Sequence, residues 1–240
     1  MTFVFSGVGM SRKVAEWIGE IPDSVGFVLP TYGWRVPKLA RRIIASRMEE
    51  FSRPDVFTWA VFTCGDDTGF IDRDLEGVIG RRLDAAFSVV MPDTYLGLPG
   101  FKLDSKEETA AKMKAAESRC AAIRGKLLAH EAGIDMKRGA FAWTKTCVIG
   151  RFFNRFIATD RFFRLTPGKC VKCGKCVSLC PAGAIEKGPA GTPVWKRDGS
   201  CTGCFRCYHV CEGDAIEFGQ FTRGKGRLGI LRKGGEDGNS

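Results

Sequence analysis

The sequence has no apolar run approaching the roughly 18 residues that a membrane-spanning helix needs. It also lacks, at its first residues, the basic start, apolar core and small-residue cleavage site of an export signal. No helical membrane span is expected, and the expected compartment is the cytoplasm. A reducing compartment keeps thiols free, so the eleven cysteines are read as metal ligands, at least in part, and not as a disulfide framework. No motif of nucleic-acid recognition accompanies the formal net charge of +10, so the basic excess is not assigned to nucleic acid. What is present, 240 residues with 44% hydrophobic, suffices for two modest globular domains, each with its own core.

Cys64, Cys120 and Cys147 are scattered singly and read as small buried apolar residues. The other cysteines are crowded into "CVKCGKCVSLCP" at 170–181 and "CTGCFRCYHVCE" at 201–212, each spaced C-x2-C-x2-C-x3-C. This is the bacterial ferredoxin spacing, in which three cysteines of one run and the last of the other surround each [4Fe-4S] cube. Three cysteines at intervals of three can wrap one cluster, while the fourth leads into a short helix pointing at the other. Cys170, Cys173, Cys176 and Cys211 are therefore expected at one cluster, and Cys201, Cys204, Cys207 and Cys180 at the second. The alternative is a pair of four-cysteine zinc sites, which ordinarily use two C-x2-C pairs separated by a longer loop. "PAGAIE" after the first run and "EGDAIE" after the second make an internal repeat, so an α+β domain of two pseudo-symmetric halves is expected. Pro181 follows the last cysteine of the first run, but Glu212 stands at that place in the second. A carboxylate there would destabilise the reduced, more negative state of the cluster held by Cys211, unless it is only a solvated side chain or a helix cap. His209 is expected to be exposed and not a ligand.

The first hundred residues alternate apolar strands ("TFVFSG", "SVGFVLP", "DVFTWAVFTCG", "AAFSVVMP") with helical stripes. Strands of this kind, buried on both faces, form a parallel, doubly wound sheet, whose ligands bind at the carboxyl ends of the strands. Ser11 is placed to cap the first helix. Loops 6–11 ("SGVGMS"), 30–37 ("PTYGWRVP") and 64–69 ("CGDDTG") would gather at that edge.

These three loops, "FSVVMPDTY" and the two cysteine runs stand in the order found in the flavodoxin–ferredoxin fusion family, which the chain resembles over nearly its whole length. The resemblance implies an α/β flavodoxin-like domain (1–135), shortened because only about a dozen residues run from the start of the first helix to "SVGFVLP", and a two-[4Fe-4S] ferredoxin domain (165–220). It also implies FMN. The phosphate would rest on Ser6, Gly7, Val8, Gly9, Met10 and Ser11, and the ring would lie between Tyr32, Gly33 and Trp34 on one side and Cys64, Gly65, Asp66 and Gly69 on the other. Val8 and Met10 stand where the family has a threonine and an asparagine, and Asp66 and Asp67 add negative charge to a loop that the resemblance would turn toward an anionic cofactor. Two readings follow: a protein passing low-potential electrons between the clusters and a flavin, or a cluster relay whose flavodoxin-like domain is an empty docking scaffold. Whether it is an enzyme stays open. Residues 136–164 form a connecting segment in which phenylalanines alternate with arginines; a helix at 151–164 suits either a membrane surface or the joining of two domains. Residues 221–240 read as a flexible basic tail. Because two clusters on eight thiolates add about four negative charges, the basic surface points to an acidic redox partner.

Overall fold

The computed structural model describes residues 1–51 and 53–228. The chain divides into two compact units, residues 1–92 with 104–157, and residues 93–103 with those from 158 onward. The first unit carries a five-stranded parallel sheet of β1 (Thr2–Val4), β2 (Ser24–Pro30), β3 (Phe57–Cys64), β4 (Ala85–Val90) and β5 (Gly133–Asp135), in chain order. The helices are α1 (Met10–Ile18), α2 (Lys38–Ser46), α3 (Met48–Phe51), α4 (Ile71–Ile79) and α5 (Lys106–Leu128). A five-stranded parallel sheet with helices fits the flavodoxin-like class. The expected strands are all there, and β5 is an addition at the sheet edge.

Every residue of β2 is buried, as a strand covered on both faces requires. Val25, Phe27, Leu29, Ala60 and Phe62 share a core with Ala40 and Ile44 of α2, Phe51 of α3, and Ile71 and Leu75 of α4. Alternate residues point to the other face, where α1 packs against α5. There Gly26 makes room for Trp59, whose Nε1–H donates to Ser24 Oγ at 2.9 Å; a Cβ on Gly26 would run into the indole. Helix α5 opens on a capping box. Ser105 Oγ accepts from the Glu108 N–H at 3.0 Å, and the Glu108 carboxylate accepts from the Ser105 N–H at 2.8 Å. Ser11 does not cap α1. Gly9, at φ 93°, holds the cap position, and Ser11 turns inward to share a hydrogen bond with Thr63 Oγ1 at 2.8 Å.

After β5 the chain runs through α6 (Ala142–Thr144), a π turn (Lys145–Ile149), α7 (Gly150–Phe152) and a second π turn (Phe153–Ile157). The connecting segment therefore ends earlier than expected. The second unit takes over at residue 158, and Phe163 is a buried core residue there.

The second unit contains two antiparallel pairs, β6 (Phe163–Leu165) with β9 (Ile216–Phe218) and β7 (Ile185–Lys187) with β8 (Pro193–Trp195). Between them lie the one-turn helices α8 (Lys175–Ser178) and α9 (Arg206–His209). Gly174 (φ 77°) and Phe205 (φ 62°) begin these helices at matching points of the repeat, both left-handed. Phe205 is held in that costly conformation by burial among Phe163, Tyr208 and Phe218. Residues 221–228 correct the expected flexible tail: Tyr208 Oη donates to Lys225 O at 2.9 Å, Thr222 and Leu228 are buried, and Arg227 pairs with Asp214 at 2.5 Å. The rest of that tail lies outside the described residues. In the first unit, Gly26→Ala is expected to lower stability by about 1–3 kcal/mol through overpacking against Trp59, read as a lower denaturation midpoint, with Trp59→Phe in the same chain recovering part of the loss.

Candidate metal centres

The α+β unit sorts its cysteines into two groups. Cys170, Cys173, Cys176 and Cys211 line one pocket with Leu165, Val171 and Ile216, and Cys180, Cys201, Cys204 and Cys207 line another with Phe163, Trp195 and Phe205. Each pocket takes three cysteines of one run and the last of the other. Among the described residues no three His, Cys, Asp or Glu side chains converge on a single-ion position. The sulfurs surround a void instead, which suits a polynuclear group better than one tetrahedral ion with bonds of about 2.3 Å.

Backbone N–H groups point at three of these sulfurs. Cys180 Sγ accepts the Ala184 N–H at 3.4 Å and Cys211 Sγ the Ala215 N–H at 3.2 Å, the same bond in each half of the repeat, and Cys201 Sγ accepts the Gly203 N–H at 3.4 Å. Burial opposes charge on the thiols. Desolvation pushes the Cys176 thiol up to about 11 and the Cys201 thiol up to about 12, with neighbouring cysteines adding to both. Cys204 and Cys207 are raised by the same burial. So many buried thiols lose their protons only to a cation that replaces them. Two further donors fit such a group: Trp195 and Arg206 line the second pocket, and Trp195 Nε1 and Arg206 Nε are buried without a partner.

Two neighbours differ from expectation. His209 is wholly buried: its ring nitrogens engage Thr94 O at 2.8 Å and the Leu228 N–H at 3.3 Å. No side-chain pattern signals this burial, because both partners are backbone groups remote in the chain. Glu212 is half-exposed and pairs with Lys175 at 2.6 Å, a contact that joins the two runs and raises the lysine's pKa. The carboxylate expected to disfavour the reduced cluster is thus balanced by a cation from the opposite run.

Residues 163–212 match the 4Fe-4S dicluster domain family. That part of the chain is an iron–sulfur, metal-binding domain of the kind that transfers electrons. The match covers only the ferredoxin-like part, and no curated protein and no solved structure matches the chain significantly.

The loops expected to hold FMN are engaged with the chain itself. Tyr32, Gly33, Trp34 and Arg35 form a tight hairpin in which Gly33 and Trp34 both have φ 56°. Trp34 Nε1–H donates to Asp67 Oδ1 at 2.8 Å, Lys145 pairs with Asp67 and lies over the Trp34 ring, and Gly69 packs directly on Trp34 and Thr146. Phe153 lies against Gly33, and Asn154 Nδ2–H donates to Tyr32 O at 2.9 Å. Asp66 is exposed and pairs with Lys137 at 3.2 Å, Gly65 is partly exposed, and Cys64 is buried with its thiol toward Val89 O. The second and third loops therefore meet side chain to side chain, and a flat ring does not fit between Trp34 and Asp67 or Gly69. The charge pattern held the signal for this closure, since Asp66, Asp67 and Asp72 find Lys137, Lys145 and Arg138. In the first loop Gly7, Val8 and Met10 are buried, Ser11 is taken by Thr63, and Ser6 Oγ is buried without a partner.

Two substitutions test the crossed ligand sets. Cys211→Ala is expected to damage the cluster of Cys170, Cys173 and Cys176, and Cys180→Ala that of Cys201, Cys204 and Cys207, read by iron content and electron paramagnetic resonance of the reduced protein; loss of the same-run cluster instead would overturn the crossing. Trp195→Phe removes a buried indole N–H that lines the second pocket without a protein partner, and because hydrogen bonds to the sulfurs tune cluster potentials, a redox titration is expected to show that cluster alone shifted to lower potential.

Proposed function

We propose that the chain is a two-cluster electron carrier. In this reading Cys170, Cys173, Cys176 and Cys211 hold one [4Fe-4S] cluster, Cys180, Cys201, Cys204 and Cys207 hold the other, and the flavodoxin-like unit is a flavin-free docking scaffold. The supporting observation is the sorting of the cysteines into two pockets, each fed by both runs. When bound, the clusters supply low-potential one-electron sites. The chain's own residues hold the sulfurs, direct backbone N–H groups at them, and exclude water with Phe163, Phe205 and Ile216. The direct contact of Trp34 with Asp67 and Gly69 supports a scaffold without flavin. The net charge of +10, reduced by the clusters, favours an acidic redox partner.

A second reading keeps a weak FMN site. Ser6 Oγ, in the loop leading into α1, and Thr31 Oγ1, just after β2, are buried without partners, and the α1 cap supplies no side-chain bond. Anaerobic purification distinguishes the two. Protein loaded with iron and sulfide is expected to show the broad iron–sulfur absorbance without structured flavin bands, and to release no yellow FMN on acid denaturation. Stoichiometric FMN in the supernatant would overturn the scaffold reading, and zinc in place of iron would overturn the carrier reading.

A further inference from the structure

The helical segment 142–157 is built inside out. Thr146, Gly150 and Asn154, four residues apart, face the body of the first unit: Thr146 Oγ1 accepts the Phe70 N–H at 2.8 Å, Gly150 lies against the Gly33 carbonyl, and Asn154 reaches Tyr32 O. The small and polar residues are thus turned in. Those turned out are large and apolar. Val148, Ile149, Phe152 and Phe156 are exposed along the helix, and Phe141 and Trp143 stand at its start, with Phe141 82%, Trp143 63% and Phe152 58% exposed. The Phe152 and Phe156 rings pack on each other at 5.0 Å. An apolar stripe of this size marks an interaction surface.

The charge carried by the segment itself has one sign. Between Met136 and Thr159 the sequence carries Lys137, Arg138, Lys145, Arg151 and Arg155 and no acidic residue. The first three turn to Asp66, Asp72 and Asp67, whereas Arg151 and Arg155 are exposed among the aromatics, and Arg155 lies over Phe156. Among the described residues no helix is long and apolar enough to cross a membrane, so insertion would be shallow.

We propose that this face docks the protein on an anionic lipid surface, with segment 142–157 lying in the headgroup plane, its aromatic residues entering the acyl boundary and its arginines meeting lipid phosphate. Protruding aromatic and aliphatic side chains flanked by arginine are the composition that binds such an interface, and the single sign of charge selects an acidic one.

The test uses the full chain carrying its clusters, mixed with vesicles of phosphatidylcholine alone or of phosphatidylcholine and phosphatidylglycerol in equal amounts. Co-flotation with the anionic vesicles is expected, weakening as salt is raised. Phe152→Ser with Phe156→Ser is expected to reduce partitioning by about tenfold or more, and Arg151→Gln with Arg155→Gln by roughly fivefold per arginine, with circular dichroism and cluster absorbance unchanged. Bromine-labelled lipid should quench tryptophan emission in the unsubstituted protein and less in Trp143→Phe. Absence of flotation, or equal flotation of the serine variant, would overturn the proposal. So would a dimer in solution that the serine substitutions dissociate in a protein that ignores vesicles, which would make the face a contact between copies.

Discussion

The second unit is governed by one electrostatic constraint: eight cysteines line two pockets, and for four of them, Cys176, Cys201, Cys204 and Cys207, burial penalises the charged form. Its strands are three residues long and its helices single turns, so secondary structure contributes little cooperative strength of its own. What remains is the aromatic cluster around Phe205 and Phe218 and the metal. Binding free energy at such a site is folding free energy, which explains why the unit accepts a left-handed phenylalanine and inward-facing donors that have no protein partner.

The first unit solves a different problem. Its carboxyl edge, where doubly wound folds open a ligand crevice at a reversal of strand order, has no reversal, because the strands follow one another in chain order. Asp66 and Asp67, expected to face an anionic cofactor, are met by Lys137 and Lys145, and Asp72 of α4 by Arg138. The exchange is reasonable energetically. The buried carboxylates of Asp67 and Asp72 need partners, and a segment of the same chain supplies them permanently.

Much of this could be read from residues alone, and the exceptions are physically uniform. Strands β1 to β4 were legible because continuous apolar runs between turn signals leave few alternatives, and the iron–sulfur domain because two runs of four cysteines at one fixed spacing fit few other architectures. Strand β5 was not. Its residues, Gly133 to Asp135, are exposed and pair only because the sheet edge is there. The buried state of His209 and the packing of residues 221–228 rest on backbone partners, which carry no side-chain signature. The helix expected at 151–164 ends at Ile157 and Phe163 is core, whereas Phe141 and Trp143, outside the phenylalanine-rich stretch, are among the most exposed apolar residues.

The sheet ends on both sides in a strand of only three residues, β1 and β5. Long, flat edges offer a row of unpaired amides and carbonyls on which another chain can add, and very short edge strands are one of the ways folded proteins avoid that hazard. The long strands here, β2 and β3, are flanked on both sides and present no free ladder. The sheet is self-limiting, so the molecule keeps its most aggregation-prone sequence, the apolar runs at its centre, out of reach of its neighbours.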